Sequence, residues 1–200
     1  MLTQLQKTTS QCLGIVASTV GIRFGVEEPP HSVKSLGDGV EIRRYGPRIA
    51  AQTTVVAGEE SARSAGFRRL AGYIFGGNHR SDQIAMTAPV EQQLGERESW
   101  VIRFYMPSNW TLRSLPTPDD ERVTTVEVGP ETVAALRFSG DRGPDSVAEH
   151  TRQLREKLRD YGFVVTGEPT AWFYDPPWTL PALRRNEIAI PVEDSPLMQP

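Results

Sequence analysis

Apolar and polar positions alternate in two distinct periods along this chain. From Val40 to Val55 the residues are rich in β-branched and aromatic types, which favour a pleated strand, and Gly46-Pro47 marks a bend. From Glu59 to Phe75 the period changes. Ala62, Ala65, Gly66, Leu70 and Tyr73 recur at three- and four-residue spacing, which predicts a helix with Glu59 and Glu60 at its positive end and Gly76-Gly77-Asn78 as its stop. Two further strands are predicted over 83–90 and 100–107. The same order then recurs: a strand over 123–138 bent at Gly129-Pro130, a helix over 144–161, and strands over 170–177 and 186–192. In the second helix Val147, Thr151, Leu154, Leu158 and Tyr161 form the inner stripe, and Glu149, Arg152, Arg155, Glu156 and Arg159 the wet face.

The chain therefore reads as one β-α-β-β unit used twice, over about 40–107 and 123–192. Prolines close corresponding strands: Pro89 matches Pro176, and Pro107 matches Pro191, as expected of a residue that cannot donate to a ladder. Neither half alone covers its sheet. The expected fold class is α+β, a distorted eight-stranded barrel-like sheet with two packed helices. Residues 1–36 read as a lead-in containing a docking helix or loose segment, 37–192 as the domain and 193–200 as a tail.

Composition narrows the function. The 38% hydrophobic and 24% charged fractions over 200 residues are those of a globular chain. A formal net charge of −3 supplies no basic surplus for nucleic acid. The single cysteine, Cys12, excludes a disulfide framework and a thiolate zinc site, and fits a reducing, cytoplasmic setting. The uncharged stretch 13–22 is too short to span a bilayer as a helix, so membrane contact through it is not favoured.

Several segments carry a family resemblance. They are Val40-Glu-Ile-Arg-Arg-Tyr-Gly-Pro47, Gly66-Phe-Arg-Arg-Leu-Ala-Gly-Tyr-Ile-Phe-Gly-Gly-Asn78, Ile84-Ala-Met-Thr-Ala-Pro-Val90, Arg103-Phe-Tyr-Met-Pro107, Tyr174-Asp-Pro-Pro-Trp178 and Arg184-Arg-Asn-Glu-Ile188. In this order they resemble the hallmarks of the SOUL/haem-binding-protein family over roughly residues 36–192. The resemblance implies the duplicated fold and a non-covalent haem or related porphyrin in an apolar groove beside the first helix and the loop before the last strand. The expected physical partner is thus a small tetrapyrrole, the expected role storage, transport or sensing, and the expected state a monomer.

The residues around that groove can be weighed on chemistry. Phe67 and Ala71 lie off the helix stripe and are candidates for a partly exposed apolar face. The loop 176–183 is unusually apolar for a loop, with Trp178, Leu180 and Leu183. Trp178 and Phe67 are expected to cover a flat macrocycle, while Arg69, Arg184 or Arg185 pair with its propionates. An alternative for Arg185 and Glu187 is an ion pair on one strand face. Some family members carry a histidine directly before the tyrosine of the first strand. Here that residue is Arg44, which stays protonated and cannot ligate iron. His79, in the loop after the first helix, is the best-placed remaining ligand candidate, ahead of His31, His150, Tyr45 and Met86.

Three rival classes remain: an enzyme, a small-molecule sensing module, and an interaction protein whose apolar loop docks on a partner. An enzyme needs an acid, base or nucleophile in a pocket, and the chain shows no Ser-His-Asp order, HExxH, P-loop or GxGxxG, so no catalytic residue is assigned. Asp175 and Glu187 are the carboxylates nearest the suspected groove. The duplicated architecture also resembles GyrI-like ligand-sensing domains, in which an acidic residue in a cleft meets a cationic amphiphile. Glu187 is the candidate for that part.

Overall fold

The computed structural model describes residues 26–194. Cys12 and the stretch 13–22 lie outside the described residues, as do the last six residues of the tail. Strands β1 (His31–Gly37) and β2 (Val40–Tyr45) form a hairpin, and β3 (Arg48–Val55) follows the Gly46-Pro47 bend. Helix α1 (Glu59–Ile74) leads to β4 (Val90–Leu94) and β5 (Trp100–Tyr105). The second half repeats the pattern with β6 (Thr124–Val128), the Gly129-Pro130 bend, β7 (Glu131–Phe138), α2 (Pro144–Asp160) and β8 (Thr170–Phe173). A short 3-10 turn (Pro181–Leu183) precedes β9 (Asn186–Pro191).

The nine strands of the described residues join one strongly curled antiparallel sheet in the order β1-β2-β7-β9-β8-β4-β5-β3-β6. With β1 set aside, the order is a palindrome of the two halves: β2 answers β6, β7 answers β3, β9 answers β5, and β8 meets β4 at the pseudo-twofold axis. Each Gly-Pro bend splits its long strand so that the first piece crosses to the other half. β2 pairs with β7, and β6 with β3. The fold class therefore stands, with one strand more than expected. The ninth, β1, is built from the end of the segment read as lead-in, and the outward-facing run Ser32-Val-Lys-Ser35 gives it no apolar face that a sequence pattern would reveal.

A second difference lies before β4. Residues 83–89 carry strand composition but run irregularly. Their backbone groups serve other partners: the Ile84 N–H donates to the Ile74 carbonyl at the end of α1, and the Ala88 N–H to the Glu27 carbonyl of the N-terminal strap. Pro89 has no N–H to offer a ladder, so pairing starts at Val90. Met86 is consequently exposed.

Each helix covers one end of the outer sheet face. α2 buries Leu154 and Leu158 over β7 and β9 beside Ile42, Ala134, Phe173 and Ile188. Each such side chain contributes about 1.5–3 kcal/mol on leaving water. α1 buries Leu70, Tyr73 and Ile74 over β3 and β5. It sits so close to β5 that a Cβ on Gly66 would lie 2.4 Å from Ile102 Cγ1, which explains a glycine in mid-helix. Gly76, at φ 107°, ends α1 as its position predicts. No helix among the described residues is long and apolar enough to cross a membrane.

Candidate ligand-binding site

The loop between β8 and β9 is rigid yet presents apolar side chains to water. Its prolines, Pro176, Pro177 and Pro181, restrict the backbone. Thr179 is fully buried and anchors the middle. Arg184 clamps the loop from one end, donating from Nε to the Thr179 carbonyl and from Nη2 to the Pro177 carbonyl, both at 2.8 Å. Asp175 is buried and accepts the Arg185 N–H at 2.6 Å, and the Gly140 N–H donates to the Pro181 carbonyl. On this frame Trp178, Leu180 and Leu183 remain 58%, 54% and 43% exposed. Large apolar side chains exposed together on one loop mark a surface able to meet a ligand or partner.

Charge gathers at the root of the same loop. Arg142, in the turn before α2, approaches the Asp175 carbonyl at 3.4 Å, and its own carbonyl accepts Nη1 of Arg63 from α1 at 3.2 Å. Arg63 and Arg142 both lean on the Phe173 ring, at 4.6 and 5.9 Å. Partial burial, then the charges of Arg63 and Arg184, push the Arg142 guanidinium down to about 10. Three arginines thus converge where the second half's loop meets the opening turns of α1. Arg142 was not singled out from the sequence, since a lone arginine in a Gly-Asp-Arg-Gly-Pro turn carries no pattern.

The remaining expected site residues are not all brought to this place. Phe67 and Ala71 are half-buried and pack on the α1–β5 core, Phe67 edge-on to Phe104 with ring centres 5.3 Å apart. Arg69 donates to Thr53 Oγ1 and the Thr54 carbonyl on β3. Arg185 lies over the Tyr174 ring and is held by Glu187 and Glu28, each at 2.8 Å. The ion-pair reading of Arg185 and Glu187 is therefore the observed one. His79 stands beyond the C-terminal end of α1, exposed, with Asp119 Oδ1 at 3.7 Å. A helix of 16 residues is about 24 Å long, so His79 and the loop occupy opposite ends of α1. Arg44 is paired with Asp194.

The inner face of the curled sheet holds a separate polar network. Arg43 on β2 donates Nη1 to Glu187 at 2.6 Å, with the two side chains 4% and 0% exposed, and Tyr174 adds its hydroxyl at 2.8 Å. Burial alone would raise the Glu187 carboxyl. The hydrogen bond and charge of Arg43, joined by Arg185, outweigh it and hold the group below the usual carboxylate range. Across the axis, Glu91 accepts from Arg103, the Tyr105 hydroxyl and Trp172 Nε1 at 2.6, 2.6 and 3.1 Å. Arg48 pairs with Glu131 between the rings of Tyr45 and Tyr105. Burial, then the neighbouring carboxylates, keep the Tyr105 and Tyr174 hydroxyls protonated well above their ordinary range. A cavity of about 90 Å³ opens here beside Glu91, Arg103, Tyr105 and Trp172.

The family model described as SOUL heme-binding protein matches residues 26–191. The chain belongs to the SOUL family. Heme-binding protein 2 of Mus musculus is 30% identical over 142 residues, covering 68% of this chain and 69% of that protein. Heme-binding protein 2 of Homo sapiens is 30% identical over 131 residues, 62% of this chain and 63% of that one. Among solved structures, the EcmrR C-terminal domain superposes with a TM-score of 0.59 at 14% identity, covering 78% of this chain and 98% of the domain. An uncharacterized conserved protein from Listeria innocua does so at 0.56 and 14%, covering 76% and 92%. At that identity these two share the fold of the SOUL chain.

Proposed function

We propose that this SOUL protein binds haem or a related tetrapyrrole non-covalently, with the macrocycle laid flat on the exposed loop 176–183. The observation that carries the reading is the set Trp178, Leu180 and Leu183, held outward by a frame of prolines, Thr179 and Arg184. Such a surface suits a broad, flat, apolar ligand with an acidic edge. Trp178 is to stack on the ring, Leu180 and Leu183 to cover its rim, and Arg184 to face its acidic side. Arg185 supports the frame through its N–H to Asp175, while Phe67, Ala71 and Arg69 belong to the α1–β5 core and its β3 edge. His79 has no part in a ligand seated here. Bound haem brings its own light absorption and iron redox chemistry, and the protein's contribution is burial and orientation. An open platform favours exchange, so carriage is the role that fits best.

The cationic-amphiphile alternative loses its candidate carboxylate, because Glu187 is neutralised on both sides by Arg43 and Arg185. A hemin titration followed by Soret absorbance tests the proposal. A saturable shift near one equivalent is expected in wild type, with affinity about tenfold weaker in Trp178→Ala. No saturable shift in wild type sinks the reading.

A further inference from the structure

Arginines shielded from solvent elsewhere among the described residues mostly sit on carboxylates, Arg43 and Arg185 on Glu187, Arg48 on Glu131 and Arg103 on Glu91, with Arg69 held instead by Thr53 and the Thr54 carbonyl. At the root of loop 176–183 the pattern breaks. Among the described residues no carboxylate forms an ion pair with Arg142 or Arg184. The nearby acids are engaged: Glu60 lies 3.8 Å from Arg63, and Asp141 accepts the Gly143 N–H at 3.2 Å. Arg142 has only the distant Asp175 carbonyl at 3.4 Å, beside two like charges. Glu60 and Asp141 attract this half-desolvated guanidinium without an ion pair and do not outweigh burial and the two like charges, so it still favours a closer anion. The adjoining surface is apolar, so the anion that fits is the acidic edge of an amphipathic molecule.

We infer that Arg142, with Arg184 beside it, is the specificity determinant of the loop site, and that it selects tetrapyrroles with free carboxylates over esterified or neutral ones. This rests on the tetrapyrrole reading above and adds to it a residue and a chemical preference. Recognition through the acidic edge makes no demand on the metal, so a metal-free porphyrin diacid binds like haem.

Protoporphyrin IX and its dimethyl ester differ only in whether the two carboxylates are free. Each is titrated into the full chain and followed by tryptophan quenching. The free acid is expected to bind roughly ten- to hundredfold more tightly to wild type, the range for losing a charge-assisted contact. In Arg142→Gln acid and ester bind alike. Arg142→Lys recovers part of the preference, since it restores charge without the planar fork. Equal binding of acid and ester to wild type overturns the role of Arg142 while the loop reading survives. Binding of neither overturns both. The acid–ester contrast on wild type needs no variant to fold.

Discussion

The inner face of the sheet and the root of the loop both concentrate arginines, and they treat them in opposite ways. On the inner face Arg43, Arg48, Arg103 and Arg185 each meet a carboxylate, and tyrosine and tryptophan donors fill the remaining lone pairs of Glu91 and Glu187. At the loop root Arg142 and Arg184 meet carbonyl oxygens, and the charges of Arg184 and Arg63 oppose that of Arg142. Apart from Arg48, whose Nε and Nη1 are buried without a hydrogen-bond partner, the inner network is closed, and it fixes the positions of β2, β4, β5 and β9. An open one keeps its attraction for something outside the chain. Density of charge alone does not mark a binding site; the balance of partners does.

The largest expected effect comes from opening the closed network. Glu187→Gln leaves Arg43 and Arg185 buried with reduced compensation, and breaking such a pair costs about 3–5 kcal/mol. Urea denaturation reads that loss; a change under about 1 kcal/mol would show the network to be dispensable. Acid gives the same contrast without mutation. Glu187 has its carboxyl lowered in the folded state, so its contribution is complete above the unfolded carboxylate range and fades as pH falls through the folded value. Wild type should lose stability below about pH 4.5, and Glu187→Gln should show a flatter acid limb.

The open cluster predicts the reverse sign. The charge on Arg142 costs stability at every pH below about 10, because that value lies under its unfolded one. Arg142→Leu is therefore expected to stabilise the ligand-free protein, by about 1 kcal/mol once solvent screening of this half-exposed group is allowed for. A rise of a few degrees in Tm checks it, and a fall would assign Arg142 a structural duty instead. Smallest of all, Trp178→Ala should leave urea stability within about 0.5 kcal/mol of wild type despite its effect on hemin affinity.

Much of the fold was legible because it is written twice. The Gly46-Pro47 and Gly129-Pro130 bends and the two helix stripes repeat at matching offsets, and their agreement fixes the unit. β1 was not, because its exposed residues have no periodic signature. The loop 176–183 was legible from composition, since apolar residues between prolines are unusual on a surface. The arginine partners were not. Arg43 and Glu187 are 144 positions apart, and Arg142 gains its meaning from Arg63 and Arg184, which the chain brings in from other elements. Arg69 and Arg185 matched the charge expected for propionate contact, but their hydrogen bonds point to β3 and to the inner network.

The exchange of β2 and β6 between the halves bears on how such a chain arose. Each unit completes its neighbour's sheet rather than its own, through the β2–β7 and β3–β6 ladders. A half-length chain has no partner for its first strand except a second copy. On this geometry two half-length copies would complete each other's sheets, and joining the halves in one chain lets the loops on either side of the axis differ. Only one of those loops now carries Trp178.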